Sequence, residues 1–269
     1  MSEHVSTERR GFGIAVLGGP TTVVDIAGLR LVADPTFDPP ADKGYLTKLS
    51  GPAVSETELG PVDAVLVSHD LHPDNLDDRG RAFALAAPLL VSGPRSAARL
   101  GPTATPLPAW ETLSVPRADR AGVLSIRAVP AMHGPADGAR DEDGHVNCEV
   151  TGFVLSADAV PTVYISGDNA SIAVVAEVAR RVGPIDVAVL FIGAARVPGK
   201  ERGRPLTLTS ERAAAAAAVL GTPLVVPAHC DGWAHFSEGP SRVVEAFDDA
   251  GLSQILRVTS PGRWAEVTT

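Results

Sequence analysis

At 269 residues with a formal charge of -9, the chain is long enough for one sizeable core and too acidic to attract a nucleic acid. Its 45% hydrophobic and 20% charged residues give a globular balance, which excludes intrinsic disorder. Its two cysteines, Cys148 and Cys230, lie far apart and form no metal-binding pair, so no disulfide framework is indicated and a reducing, cytoplasmic setting fits.

In chain order, residues 1–10 read as a polar N-terminal tail without the apolar core of a signal peptide, and 11–269 as a single domain. Short apolar or β-branched runs at 13–17, 21–26 and 29–33 predict three strands that turn tightly and end at Asp34-Pro35. After a loop opened by Pro39-Pro40, the near-continuous apolar run 63–69 is that of a strand buried on both faces. A short helix is expected over 79–87, stopping before Pro88, with a strand at 89–91 closed by Ser92-Gly93-Pro94. Strands at 124–129 and 149–155 flank an exposed loop, 134–144.

Strand and helix then alternate. A strand at 162–166 leads to a helix at 171–182, a strand at 185–192 and a helix at 210–220 capped by Thr209 or Ser210. A strand at 224–227, a helix at 241–250 and a last strand at 255–259 complete the chain. A strand-rich opening followed by this alternation indicates a layered α/β architecture. No apolar run approaches the roughly 20 residues of a membrane span, so no membrane insertion is expected.

The chemistry lies in where histidine and aspartate fall. Ser68-His69-Asp70-Leu71-His72-Pro73-Asp74-Asn75 follows the strand at 63–69 directly, and His133, Asp168 and His229 each stand just past another strand. A strand end holds a side chain more rigidly than a free loop does, and imidazole and carboxylate are ligands for zinc and similar divalent ions. Packing so many together is costly unless a cation neutralises them.

On these residues the chain resembles the metallo-β-lactamase superfamily, and within it the branch containing ascorbate phosphate lactonases and N-acyl phosphatidylethanolamine phospholipase D. The resemblance runs from Gly18-Gly-Pro-Thr and Asp34-Pro-Thr-Phe-Asp-Pro-Pro40 to Pro227-Ala-His-Cys-Asp-Gly-Trp-Ala-His-Phe236. It implies an αββα sandwich with His69, His72 and His133 on one metal, Asp74 and His229 on a second, and Asp168 between them. Zinc is the default ion and manganese the alternative. The implied reaction is hydrolysis of an ester, lactone, amide or phosphodiester of a small molecule by metal-activated water, with Asp74 orienting the nucleophile and His235 protonating the leaving group.

Departures from the family pattern bear on the second metal. The family's first motif is usually His-x-His-x-Asp-His; here one residue is inserted, and Asn75 stands where a histidine serves the second ion. Asp70 is a rival ligand, with a structural carboxylate as the alternative. A metal-binding protein without turnover, or an iron-dependent oxidoreductase on the same fold, would use the same residues. Between 194 and 207, Arg196, Lys200, Arg202 and Arg204 form a basic group in an acidic chain. Arg196 and Lys200 could greet an anionic substrate, against the blander reading of a solvated loop. Asp77 and Asp78 most simply begin a helix, and Cys230 is read as a small buried residue.

Overall fold

The computed structural model describes residues 3–118 and 121–267. In the first half, β1 (Phe12–Gly18), β2 (Thr21–Ile26) and β3 (Leu29–Ala33) lead through a small ribbon, β4 (Ala41–Asp42) and β5 (Thr47–Lys48), to β6 (Ala64–Val67). Next come α1 (Asp78–Ala86), β7 (Leu90–Ser92), α2 (Pro94–Leu100) and β8 (Ala104–Pro106). The second half opens with β9 (Thr112–Pro116), β10 (Val123–Met132), β11 (Glu149–Ser156) and β12 (Val163–Ile165). It continues through α3 (Ile172–Val182), β13 (Val187–Phe191), α4 (Ser210–Leu220), β14 (Val225–Ala228) and α5 (Pro240–Asp249).

The strands form two six-stranded sheets, ordered β1-β2-β3-β6-β7-β8 and β14-β13-β12-β11-β10-β9. Successive side chains of a strand point to opposite faces, and β3 shows the consequence. Leu31 and Ala33 enter the core between the sheets, where Leu66, Ile126, Phe153 and Phe191 also lie, while Val32 packs outward. The outer layer of the first sheet joins Val32 and Val65 to Ala84 of α1 and Ala97 of α2. The second sheet is covered by Val175 and Val178 of α3, the alanines of α4, and Val243 and Phe247 of α5. The four layers are those of the expected αββα sandwich.

Strand direction matters for the chemistry. β3, β6, β7 and β8 run parallel, as do β12, β13 and β14. β10 is antiparallel to β11, which is antiparallel to β12, so β10 shares the direction of β12. The C-terminal ends of β10, β12 and β14 therefore open on one edge of their sheet. Thr151 N–H, on β11, donates to Ser68 O at 2.9 Å and sets the end of β6 beside that edge.

Three local outcomes differ from the sequence-based expectation. Ser92-Gly93-Pro94 does not merely close a strand: Gly93 caps α2 and Pro94 is its first residue, where the missing N–H of proline costs no hydrogen bond. The run 255–259 forms no strand. A single 3₁₀ turn, Ser253–Ile255, takes up its first residue, and only Leu256 and Arg257 reach β14, Arg257 N–H donating to Val225 O at 2.8 Å before the chain departs towards Pro261. The described part of the expected tail, residues 3–10, lies against the domain. Val5 is buried, and the fully buried Arg30, paired with Asp25 at 2.7 Å, donates to the carbonyls of Ser6, Glu8 and Leu59. Residues 1–2 lie outside the described residues.

Asp77 begins α1 as expected and does more. Its carboxylate accepts from Gly80 N and Phe37 N through Oδ1, and from Asp38 N and Lys48 Nζ through Oδ2, all at 2.8–2.9 Å. Lys48 and Asp77 are almost wholly out of water, so removing one leaves the other buried and unpaired. Asp77→Ala is expected to cost about 3–5 kcal/mol, the range for breaking a buried pair. Denaturant unfolding of the variant against wild type checks this, and a loss below about 1 kcal/mol would show the pair to be no brace.

Candidate metal centre

Every expected ligand follows the end of a strand. His69 comes two residues after β6, His133 directly after β10, Asp168 three residues after β12 and His229 directly after β14. The inserted residue in the first motif is resolved by direction. His69 turns inward, while Asp70 turns out to Arg99, which donates to its carboxylate at 2.5–3.1 Å. Asp70 is thus the structural carboxylate of the two readings. A helical turn then follows, with Leu76 N–H donating to His72 O at 3.0 Å, and carries His72 and Asp74 back to the site.

The ligand-type side chains fall into two adjacent groups. In one, His69 Nε2 lies 2.8 Å from His72 Nδ1, which lies 3.2 Å from His133 Nε2. His133 Nδ1 is 3.1 Å from Leu206 O; a carbonyl only accepts, so this nitrogen carries the proton and Nε2 presents a lone pair to the group. Burial, and then its imidazole neighbours, push His69 well below the ordinary histidine range. Burial and His72 do the same to His133, and burial brings His72 to about 4 against the pull of Asp74. All three rings are neutral at neutral pH, the form in which imidazole binds a metal.

The second group is Asp74, Asp168 and His229. His229 Nε2 lies 3.3 Å from both Asp74 Oδ2 and Asp168 Oδ1. Its ring stacks on Phe191 at 5.3 Å and meets Phe236 at 4.1 Å. Burial works against the charge of His229, but Asp168 and Asp74 raise its pKa. Burial pushes Asp168 up, whereas Asp74 is held well below the usual carboxylate range by His229 and His235 despite its burial.

Residue 229 has a left-handed backbone, φ 58°, and its carbonyl comes so near Gly193 that a Cβ there would lie 2.0 Å from it. Glycine at 193 lets the histidine reach the carboxylates.

Asn75 does not face the group as a ligand. Its amide donates to Asp168 Oδ1 at 3.1 Å and towards Asp34 Oδ2 at 3.4 Å; the opposite orientation would set its oxygen against two carboxylates. Asp34, at the end of β3, is pushed up to about 7 by burial, and its Oδ1 accepts from Ser68 N at 2.6 Å. Its place at a strand end is legible in the sequence, but its part in the site is not.

The chemistry of this set suits a cation. Asp74 Oδ1 and both ring nitrogens of His229 are buried without a hydrogen-bond partner, a costly arrangement for groups that present lone pairs. The two groups adjoin a small pocket lined by Tyr45, Leu46, His72, Asp74, His133, Asp168, Lys200 and His235, among others. Lys200 is on this wall. Arg196 is not: its guanidinium donates to Gly203 O at 2.5 Å and Ser237 Oγ at 3.1 Å, bracing its own loop. Arg204 pairs with Asp137 and Glu201. His235 Nε2 is 2.9 Å from Asp74 Oδ2. Tyr45 and Cys148 were not anticipated; the sulfur of Cys148 lies within 4.8 Å of ligand atoms of the three histidines.

Comparison with known proteins agrees with this geometry. The profile described as "Beta-lactamase superfamily domain" matches residues 30–230, and the chain belongs to that superfamily. A "UPF0173 metal-dependent hydrolase" of Methanosphaerula palustris is 27% identical over 202 residues, covering 74% of this chain and 83% of its own. The fold is shared with an isothiocyanate hydrolase from Delia radicum gut bacteria, at TM-score 0.79 and 19% identity over 95% of this chain and 99% of that one. It is shared equally with a possible metal-dependent hydrolase from Veillonella parvula, at TM-score 0.79 and 16% identity over 94% and 98%.

Because His72 gains a proton only as the pH falls towards about 4, not the ordinary 6.5, acid competes late for the imidazole group. Metal added to the protein should stay bound as the pH falls through 6.5 and leave as it nears about 4. A chromophoric chelator followed through an acid titration reads this. Release centred on 6.5 would mean that the rings are not buried as described.

Proposed function

We propose that the chain is a metal-dependent hydrolase of a small, anionic molecule, holding one or two divalent ions between His69, His72, His133, Asp74, Asp168 and His229. The supporting observation is the pairing of two ligand groups, one of neutral imidazoles and one rich in carboxylate, beneath a single small cavity. Zinc suits the first group, and the second suits zinc or a harder ion such as manganese. When bound, such an ion acidifies water to a pKa of about 7 and polarises the bond under attack.

The chain's own residues supply the rest. The pocket is small, which suits a small molecule. Lys200 on its wall meets the substrate's negative charge, and Tyr45 and Leu46 line it with apolar surface. Asp74 accepts the Nε2 proton of His235, so Nδ1, buried and without a partner, is the ring nitrogen left to exchange a proton with the leaving group. Asn75, by donating to Asp168, holds that carboxylate facing the ions. Esters, lactones, amides and phosphodiesters all fit this scheme, since one fold serves many bonds.

Metal content per chain by mass spectrometry tests the reading. About two ions are expected, fewer in both His133→Ala and Asp168→Ala. No ion, even after incubation with zinc or manganese, would overturn it. For an anionic substrate found by screening, Lys200→Ala should raise KM by about tenfold with kcat little changed. A fall in kcat at constant KM would move Lys200 from binding to the chemical step.

A further inference from the structure

The imidazole group has a sulfur neighbour that no motif announces. Cys148 is a free thiol, 7% exposed, standing immediately before β11. Its sulfur and the facing nitrogens of His69, His72 and His133 all lie within 4.8 Å of one another. The position is built from both sides. Asn147, in a left-handed conformation, donates its side-chain amide to Gly134 O, which fastens the segment before Cys148 to the residue after His133. Three residues beyond Cys148, Thr151 N–H donates to the carbonyl of Ser68, next to His69. The thiol is thus held between two of the strand ends that carry histidine.

We propose that Cys148 is the fourth protein ligand of the imidazole-rich position, which thereby becomes a three-histidine, one-thiolate site selective for a soft ion such as zinc. The proposal deepens the metal-dependent reading above and rests on it. Four nitrogen and sulfur donors are a tetrahedral zinc set. Thiolate disfavours manganese, which prefers oxygen, so the two halves of the centre differ in the ion they select. On binding, the thiol proton passes to water and the sulfur lone pair forms the bond to the ion. Cys148 does not line the pocket below which the two groups lie; it lines a separate groove with Met132, Arg140 and His145. The sulfur lies on a different side of the imidazole group from the pocket, so a fourth donor would close that position and leave the carboxylate-rich one to meet water and substrate.

Cobalt(II) loaded into the metal-free protein tests this without any activity assay. A thiolate ligand gives an intense sulfur-to-cobalt charge-transfer band in the near ultraviolet, and imidazole and carboxylate do not. The band is expected in wild type, retained in Cys230→Ser and absent in Cys148→Ser, whose zinc affinity should fall by about tenfold or more. The chain has two cysteines, so a band retained in Cys230→Ser assigns the ligand to Cys148 even where Cys148→Ser fails to fold. Cobalt bound without the band, or a band lost with Cys230, would overturn the proposal and leave the metal centre standing. No cobalt bound at all would overturn both.

Discussion

The Lys48–Asp77 pair holds the metal-bearing edge together. Asp77 comes two residues after Asn75, at the join between the first ligand loop and α1. Its four accepted hydrogen bonds reach the 37–38 backbone, the helix start and Lys48. Lys48 also donates to Thr36 O at 2.9 Å and lies 5.5 Å from the ring of Trp233. The ammonium thus links the loop after β3 to the late loop that carries His235. Leu49 N–H and Ala234 N–H pair these same two segments through the carbonyls of Gly232 and Thr47. A buried ion pair needs its remaining donors and acceptors paired; here Asp77 accepts four hydrogen bonds and Lys48 donates two, with the Trp233 ring beside the ammonium. With that brace in place, Tyr45 and Leu46 form one wall of the cavity and His235 stands against Asp74.

The two ligand groups answer the cost of burial in opposite ways. The three imidazoles shed their charge, because burial and mutual repulsion both favour the neutral ring. The carboxylates cannot all do so: Asp74 remains anionic beside two histidines, while Asp168 and Asp34 are pushed towards their protonated forms. An uncharged nitrogen-rich group is therefore set against a group whose charge state an incoming ion would decide. A cation entering between Asp74 and Asp168 would offset the burial and, after it, the Asp74 charge that raise Asp168, and would meet the unpartnered oxygen of Asp74. The imidazole group gains no such relief, and its affinity rests on bond formation with nitrogen and, where the thiol takes part, sulfur.

Much of this was legible in the sequence because ligands at strand ends leave a pattern that needs no tertiary knowledge: an apolar run, then histidine or aspartate. That logic picks out His69, His133, Asp168 and His229 as candidate ligands and places the helices and buried strands between them. It failed where contact is made across the fold. Cys148 has no paired cysteine to signal it, and only the register of β11 against β10 sets it beside His133. Asp34 is expected at a strand end without any site role, although it follows β3 as the candidate ligands follow their strands. Arg196 and Lys200 were alike as members of a basic loop, and their roles separate only in space: one guanidinium is spent on the loop's own carbonyl, the other side chain reaches the cavity. The run 255–259 had strand composition, but lying at an edge it pairs with β14 at a single bridge.

Asn75 shows how a departure from a family pattern can be read physically. A histidine at this position would supply a ligand to the second ion; asparagine instead supplies two N–H donors to the carboxylates of Asp168 and Asp34. An imidazole has no such fork, and a neutral ring could not bridge both acids and still present a lone pair to a metal. The exchange therefore trades one bond to the ion for a fixed orientation of the carboxylate that lies between the two groups. It also ties Asp168, from the second sheet, to Asp34, from the first, so the same amide that weakens a metal position fastens the two sheets at the edge where both groups sit.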